Sequence, residues 1–259
     1  MASRVSEHGH AGRFRLAYAF LLAIAVAGVA AFVFHGTGDS GRGGDGAPQT
    51  QWGNFLAQGL PSERVQEIAQ YVGSSYRLPS GHQLVAVSVS IPPVYMNKLP
   101  ITSYAVSYTA AGKTNYQVVP IGSNNVVYQL CGLGPRCAIG EGKATLARGR
   151  LLRREALELA LYTFHYTDVS SVVTFLPPKN GDKPQWVFLF LRSQFEQEGV
   201  LSRPLSAILA EATPPPAAAI PPSEAATIDG LTEPDRYHFH YTSDQQGGVW
   251  LVFDPRAVQ

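Results

Sequence analysis

The longest feature in the chain's hydropathy pattern is a run of nineteen positions without a charge, Leu16 to Phe34 (LAYAFLLAIAVAGVAAFVF). As a helix it reaches roughly 29 Å, close to the thickness of a hydrocarbon core. Arg4, Arg13 and Arg15 precede it, whereas Asp39, Arg42 and Asp45 follow. The basic flank places residues 1–15 in the cytoplasm as a tail and everything beyond the run outside. The pattern thus predicts a single-pass cell-membrane protein whose first partner is the lipid bilayer, through residues 16–34. A cleaved signal peptide competes, because Gly28, Ala30 and Ala31 offer small residues for a cut, but the apolar run continues past them through Phe34. A lipid-modified cysteine is excluded, since the two cysteines are Cys131 and Cys137.

Residues 35–58 carry no apolar period. Six glycines between Gly36 and Thr50 mark a flexible tether with an r.m.s. span of roughly 20 Å. An extracytoplasmic domain over 59–259 follows. Pro61-Ser62 opens a helix in which Val65, Ile68, Ala69 and Val72 recur at helical spacing, with Glu63 in its first turn. Val85, Val87, Val89 and Ile91 alternate with smaller residues as a strand ended by Pro92-Pro93. Ser103–Tyr108, Tyr116–Pro120 and Val126–Leu130 supply further strands, read together as a meander. From Arg148 to Tyr166 a long helix presents Leu152, Ala156, Leu159 and Phe164 to a sheet, with Arg154, Glu155 and Glu158 gathered on the opposite side. Val172–Leu176 and Trp186–Leu191, joined through Asn180-Gly181, are continuous apolar runs and predict central strands. A short helix near Arg203–Glu211 leads into a Pro-rich spacer at 213–223. A hairpin of Arg236–Thr242 and Val249–Phe253 closes the chain. The order predicts an α+β domain: a mostly antiparallel sheet with one long packing helix.

Composition changes this picture little. With 45% hydrophobic, 10% aromatic and 15% charged residues, the chain can fill a core, and wholesale disorder is excluded. A formal net charge of +1 gives no global field, so no nucleic-acid partner is expected. Arg outnumbers Lys by 15 to 5, a usage that suggests a GC-rich bacterial genome.

Four constellations bear on chemistry. Cys131 and Cys137 bracket a turn-rich loop in an exported setting, which predicts a disulfide; the spacing suits neither a zinc knuckle nor a redox C-x-x-C pair. Lys143, Arg148, Arg150, Arg153 and Arg154 fall within twelve residues at and before a helix start, as candidate contacts for an anionic lipid or envelope polymer. Glu155 and Glu158 lie within helical reach and offer to neutralise them instead. His238 and His240 share one strand face, the spacing of two metal ligands, set against an ordinary polar stripe. Glu196 and Glu198 lie just past a strand end, where solvated charges are ordinary.

No catalytic residue is assigned, because the chain contains no G-x-S-x-G, S-x-x-K or H-E-x-x-H signature and no G-x-G-x-x-G after a strand; Gly140-Glu141-Gly142-Lys143 lacks the glycine and hydroxyl of a phosphate loop. No cofactor is expected. The reading is a non-enzymatic binding or scaffold module for a protein or envelope partner; the alternative is an exported hydrolase acting on an envelope polymer. An open strand edge or flat apolar patch would favour the module, and a deep pocket with convergent polar groups the hydrolase.

Overall fold

The computed structural model describes Trp52 and residues 55–255, apart from short segments at 92–93, 97–98, 111, 179–185, 211–213, 215–219 and 244–247. The predicted tail and anchor, most of the tether, Asn180-Gly181 and parts of the Pro-rich spacer lie outside the described residues. Among the described residues no helix is long and apolar enough to cross a membrane.

The first helix, α1 (Pro61–Ser75), begins with proline at its first position, and the Glu63 carboxylate accepts the Leu60 N–H at 2.8 Å. That carboxylate satisfies a donor the helix leaves open. Val65, Ile68, Ala69 and Val72 are buried as their spacing predicts. Strands β1 (Ala86–Ser90), β2 (Val94–Met96), β3 (Leu99–Ala110), β4 (Lys113–Pro120) and β5 (Asn125–Cys131) follow, then the long helix α2 (Leu146–Tyr166). Thr145 caps α2 by accepting the Arg148 N–H, so the helix begins at Leu146, two residues before the predicted start. Next come β6 (Ser171–Phe175), β7 (Trp186–Leu191), the short helix α3 (Arg192–Gln197), helix α4 (Pro222–Thr232), β8 (Arg236–Ser243) and β9 (Val249–Pro255).

The nine strands among the described residues form one sheet in the order β1-β5-β6-β7-β8-β9-β3, with β2 and β4 both paired to β3. Six pairings are antiparallel and two, β5 with β6 and β9 with β3, are parallel. The fold is therefore α+β with a large, mostly antiparallel sheet. The first half is not the meander its strand spacing predicts. β1 pairs β5 across the excursion that makes β2, β3 and β4, because β5 must also meet β6 in parallel once α2 has returned the chain. A helix followed by an antiparallel strand pair occurs three times: α1 with β1 and β5, α2 with β6 and β7, α4 with β8 and β9.

One face of the sheet is covered by helices. Val126, Tyr128 and Leu130 of β5, Val172 of β6, and Phe188 and Phe190 of β7 pack there with α1, α2 and Ile228 of α4. Val127, Val173, Val187, Leu189, Leu251, Phe253 and Tyr104 form a second cluster on the other face. β6 and β7 are thus buried on both faces, as their continuous apolar runs predict.

Three expectations are corrected here. Residues Arg154 to Phe164 of α2 are all buried, so the helix has no solvated face there: the sheet, α1 and α4 enclose it, and Arg154, Glu155 and Glu158 lie inside. The helix near 203–211 reduces to a 3-10 turn at Leu205–Ala207, and Pro221-Pro222 begins α4 instead of continuing a spacer. Packing also begins before residue 59: Trp52 and Ala57 are buried, Trp52 stacks on His165, and the Tyr166 hydroxyl donates to the Phe55 carbonyl at 2.5 Å.

Candidate functional site

The β3–β4 hairpin forms one end of the sheet. β4 pairs with β3 along its whole length, from Lys113 opposite Ala110 to Pro120 opposite Ser103, and with no other described strand. In an antiparallel ladder alternate backbone N–H and C=O groups of an edge strand point away from its partner, so β4 presents unpaired donors and acceptors. Seven of its eight residues are exposed. The register sets Tyr116 and Val118 opposite Ser107 and Ala105 on one face, and Val119 opposite Tyr104 on the other. Tyr108, Tyr116, Val118 and Val119 are exposed by 49%, 49%, 40% and 38%, which gathers four of the molecule's exposed large hydrophobic side chains on one hairpin. Natural edges are usually guarded by charge or proline; β4 carries Lys113 and Pro120 at its ends and neither between. The other sheet edge, β1, shows Ser88 and Ser90 to solvent and turns Val87 and Val89 toward the helix-side core.

Of the five predicted basic contacts, three are neutralised. Arg150 donates to both carboxylate oxygens of Asp229, at 3.2 and 2.7 Å. Arg153 pairs with Asp229 at 2.6 Å and with Glu233. Arg154 is fully buried, which corrects its reading as a surface contact: it donates to Glu224 at 2.6 Å, to the Tyr76 hydroxyl at 2.6 Å and to Glu158 at 3.0 Å. The neutralising carboxylates come chiefly from α4 and the residue after it, with Glu158 joining for Arg154. Glu155 takes no part: it is fully buried and neither carboxyl oxygen has a hydrogen-bond partner. Burial, then the charge of Glu158, raises its carboxyl well above the usual range. Lys143 and Arg148 instead lie beside a cavity of about 390 Å³ between the segment after α1 and the start of α2, walled by Leu78, Leu84 and Leu151.

The Sγ atoms of Cys131 and Cys137 are 2.06 Å apart, at disulfide distance. Glycines shape the loop they close. A Cβ on Gly132 would sit 2.3 Å from the Ala138 backbone, which only glycine permits.

His238 and His240 go to different partners. His240 Nδ1 lies 2.8 Å from Asp254 Oδ2, while His238 packs on Trp186 with ring centroids 3.6 Å apart. His82 meets Glu141 and His165 meets Trp52, and among the described residues no three His, Cys, Asp or Glu side chains are placed to hold a metal. Ser107 donates to Asp254 Oδ1 at 2.7 Å, so Ser107, Asp254 and His240 form a chain. Its order is not that of a nucleophile relay: the hydroxyl proton is given to the carboxylate and no imidazole nitrogen receives it. Glu196 and Glu198 are exposed, within and just after α3.

The exposed hairpin is the feature that reading the sequence missed. Its signal was present in Val118-Val119, two consecutive apolar residues in a strand with no polar alternation to hide either. No family model matches the chain, and no curated protein or solved structure matches it.

Proposed function

We propose that this chain is a membrane-anchored extracytoplasmic binding module, non-enzymatic, that takes an extended segment of a partner protein as an added strand on β4. The observation that carries the reading is the unguarded β4 edge with Tyr116, Val118 and Val119 exposed on its two faces. Strand addition uses main-chain hydrogen bonds for affinity and alternate side chains for selectivity, and β4 offers both along eight residues. The exposed apolar area on both faces favours a polypeptide strand flanked by hydrophobic side chains over a polar polymer. Anchor and export rest on the apolar run at 16–34 and its basic flank; the tether gives the domain reach. The hydrolase alternative gains little, since the histidine–carboxylate pair of His240 and Asp254 activates no neighbouring hydroxyl.

Photo-crosslinking in the protein's own cells tests the reading. A crosslinking residue at Tyr116 or Val118 of the full chain should give one discrete adduct with a second polypeptide, and the same residue at Ser90, on the opposite edge, should give none. Adducts of equal yield from all three positions, or from Ser90 alone, would remove β4 as the docking edge.

A further inference from the structure

We propose that the cavity at the start of α2 is a binding site for the phosphate head and first methylenes of an anionic lipid. The cavity measures about 390 Å³, inside the range of roughly 300–1,000 Å³ found for small-molecule sites. Its accessible apolar wall is formed by Leu78 and Pro79, with the buried Leu84 and Leu151 behind them, and Arg77, Lys143 and Arg148 stand beside it. Whereas Arg150, Arg153 and Arg154 are spent on carboxylates, these three cations are not. Arg77 and Lys143 make no side-chain hydrogen bond or ion pair among the described residues, and Arg148 donates to a backbone carbonyl, that of Glu141, at 2.7 Å, which fixes the guanidinium without neutralising it.

One carboxylate lies at the same cavity, and it is engaged elsewhere. Glu141 accepts from Ser80 at 2.8 Å and meets His82 Nδ1 at 3.0 Å. Three cations against one bonded carboxylate leave the site positive. The amino end of a 21-residue helix adds partial positive charge to it. Arginine's planar fork suits phosphate oxygens, and the apolar surface of Leu78 and Pro79 suits hydrocarbon that an inorganic ion would not use. Charge and apolar wall side by side therefore specify an amphiphile, not a free anion. This site is separate from the β4 edge and does not depend on it.

Calorimetry on the full chain held in nanodiscs of zwitterionic phosphatidylcholine tests it with three soluble probes: dihexanoyl phosphatidic acid, dihexanoyl phosphatidylcholine and inorganic phosphate. Phosphatidic acid should bind at least about tenfold more tightly than either of the others. Arg77→Gln with Lys143→Gln should weaken that binding at least about tenfold. If the double variant does not fold, Lys143→Gln alone, at an exposed side chain without a partner among the described residues, should still weaken it several-fold. Equal affinity for inorganic phosphate would show that the apolar wall is unused, and unchanged affinity in a folded variant would show that the cations are; either overturns the proposal.

Discussion

Arg154 holds together a charge cluster that would not survive without it. It faces Glu158, Glu224 and the Tyr76 hydroxyl in an interior where removing one ionic partner leaves the others both desolvated and unpaired. Arg154→Ala should destabilise the protein by about 3–5 kcal/mol in denaturant unfolding. Arg150→Ala, at a half-exposed pair, should cost no more than about 1 kcal/mol. Asp235 sets a different test. It is 5% exposed, and burial, assisted by the charge of Glu198, raises its carboxyl from 3.8 to about 7. Below pH 4 both folded and unfolded chains keep the proton. Between 4 and 7 the unfolded chain loses it while the folded one retains it, so stability falls as pH rises through that window and levels off above. Asp235→Asn should flatten this part of the profile, and its stability relative to wild type should rise from pH 4 to pH 8 by on the order of 4 kcal/mol at most. Glu155, raised likewise by burial, leaves part of the slope in place. An unchanged urea-midpoint profile in the variant would contradict the assignment. None of this was legible in sequence, because Arg154, Glu155 and Glu158 have the spacing of a solvated helix face.

At the scale of elements, the reason for that misreading is α4. Pro222 at its start, Glu224 in its first turn and the buried Ala225 and Ile228 are a helix signature, but the stretch sits beside Pro214-Pro215-Pro216 and reads as a spacer. Once α4 is missed, α2 has nothing to cover its second side. The local periods themselves were reliable: α1, α2, β6, β7 and the β8–β9 hairpin lie where spacing puts them. What periodicity does not contain is pairing, and the β1–β5 match across β2, β3 and β4 is set by the packing of the helix layer. Leu159→Asp, at a fully buried position of α2, should prevent folding, read as loss of the cooperative unfolding transition. In the loop between Cys131 and Cys137, Gly132→Ala should cost about 1–3 kcal/mol, because the added Cβ meets backbone that has no room to yield. Cys131→Ser with Cys137→Ser should cost about 2 kcal/mol or less, since the loop is short. A glycine variant as stable as wild type would show that this loop moves freely.

At the scale of the whole molecule, the proposed docking edge is an exposed edge strand of a domain that the apolar run at 16–34 is expected to hold at a membrane. Protease added outside spheroplasts should remove a C-terminal tag and spare an N-terminal one, as the basic flank of the apolar run requires; the reverse pattern would invert the topology. Which of the five cations meet carboxylates was not legible: Arg150, Arg153 and Arg154 are engaged while Lys143 and Arg148 meet none among the described residues, a division fixed by tertiary neighbours. The edge was legible only as two adjacent valines. Whether β4 is open is the claim on which the functional reading stands, and residue-resolved hydrogen exchange on the purified full chain measures it directly. Alternate amides between Lys113 and Val119 should exchange near the rate of unstructured peptide, with the intervening ones protected at least about 100-fold by β3. Uniform protection along β4 would mean that its outer edge is already paired, and would contradict the account.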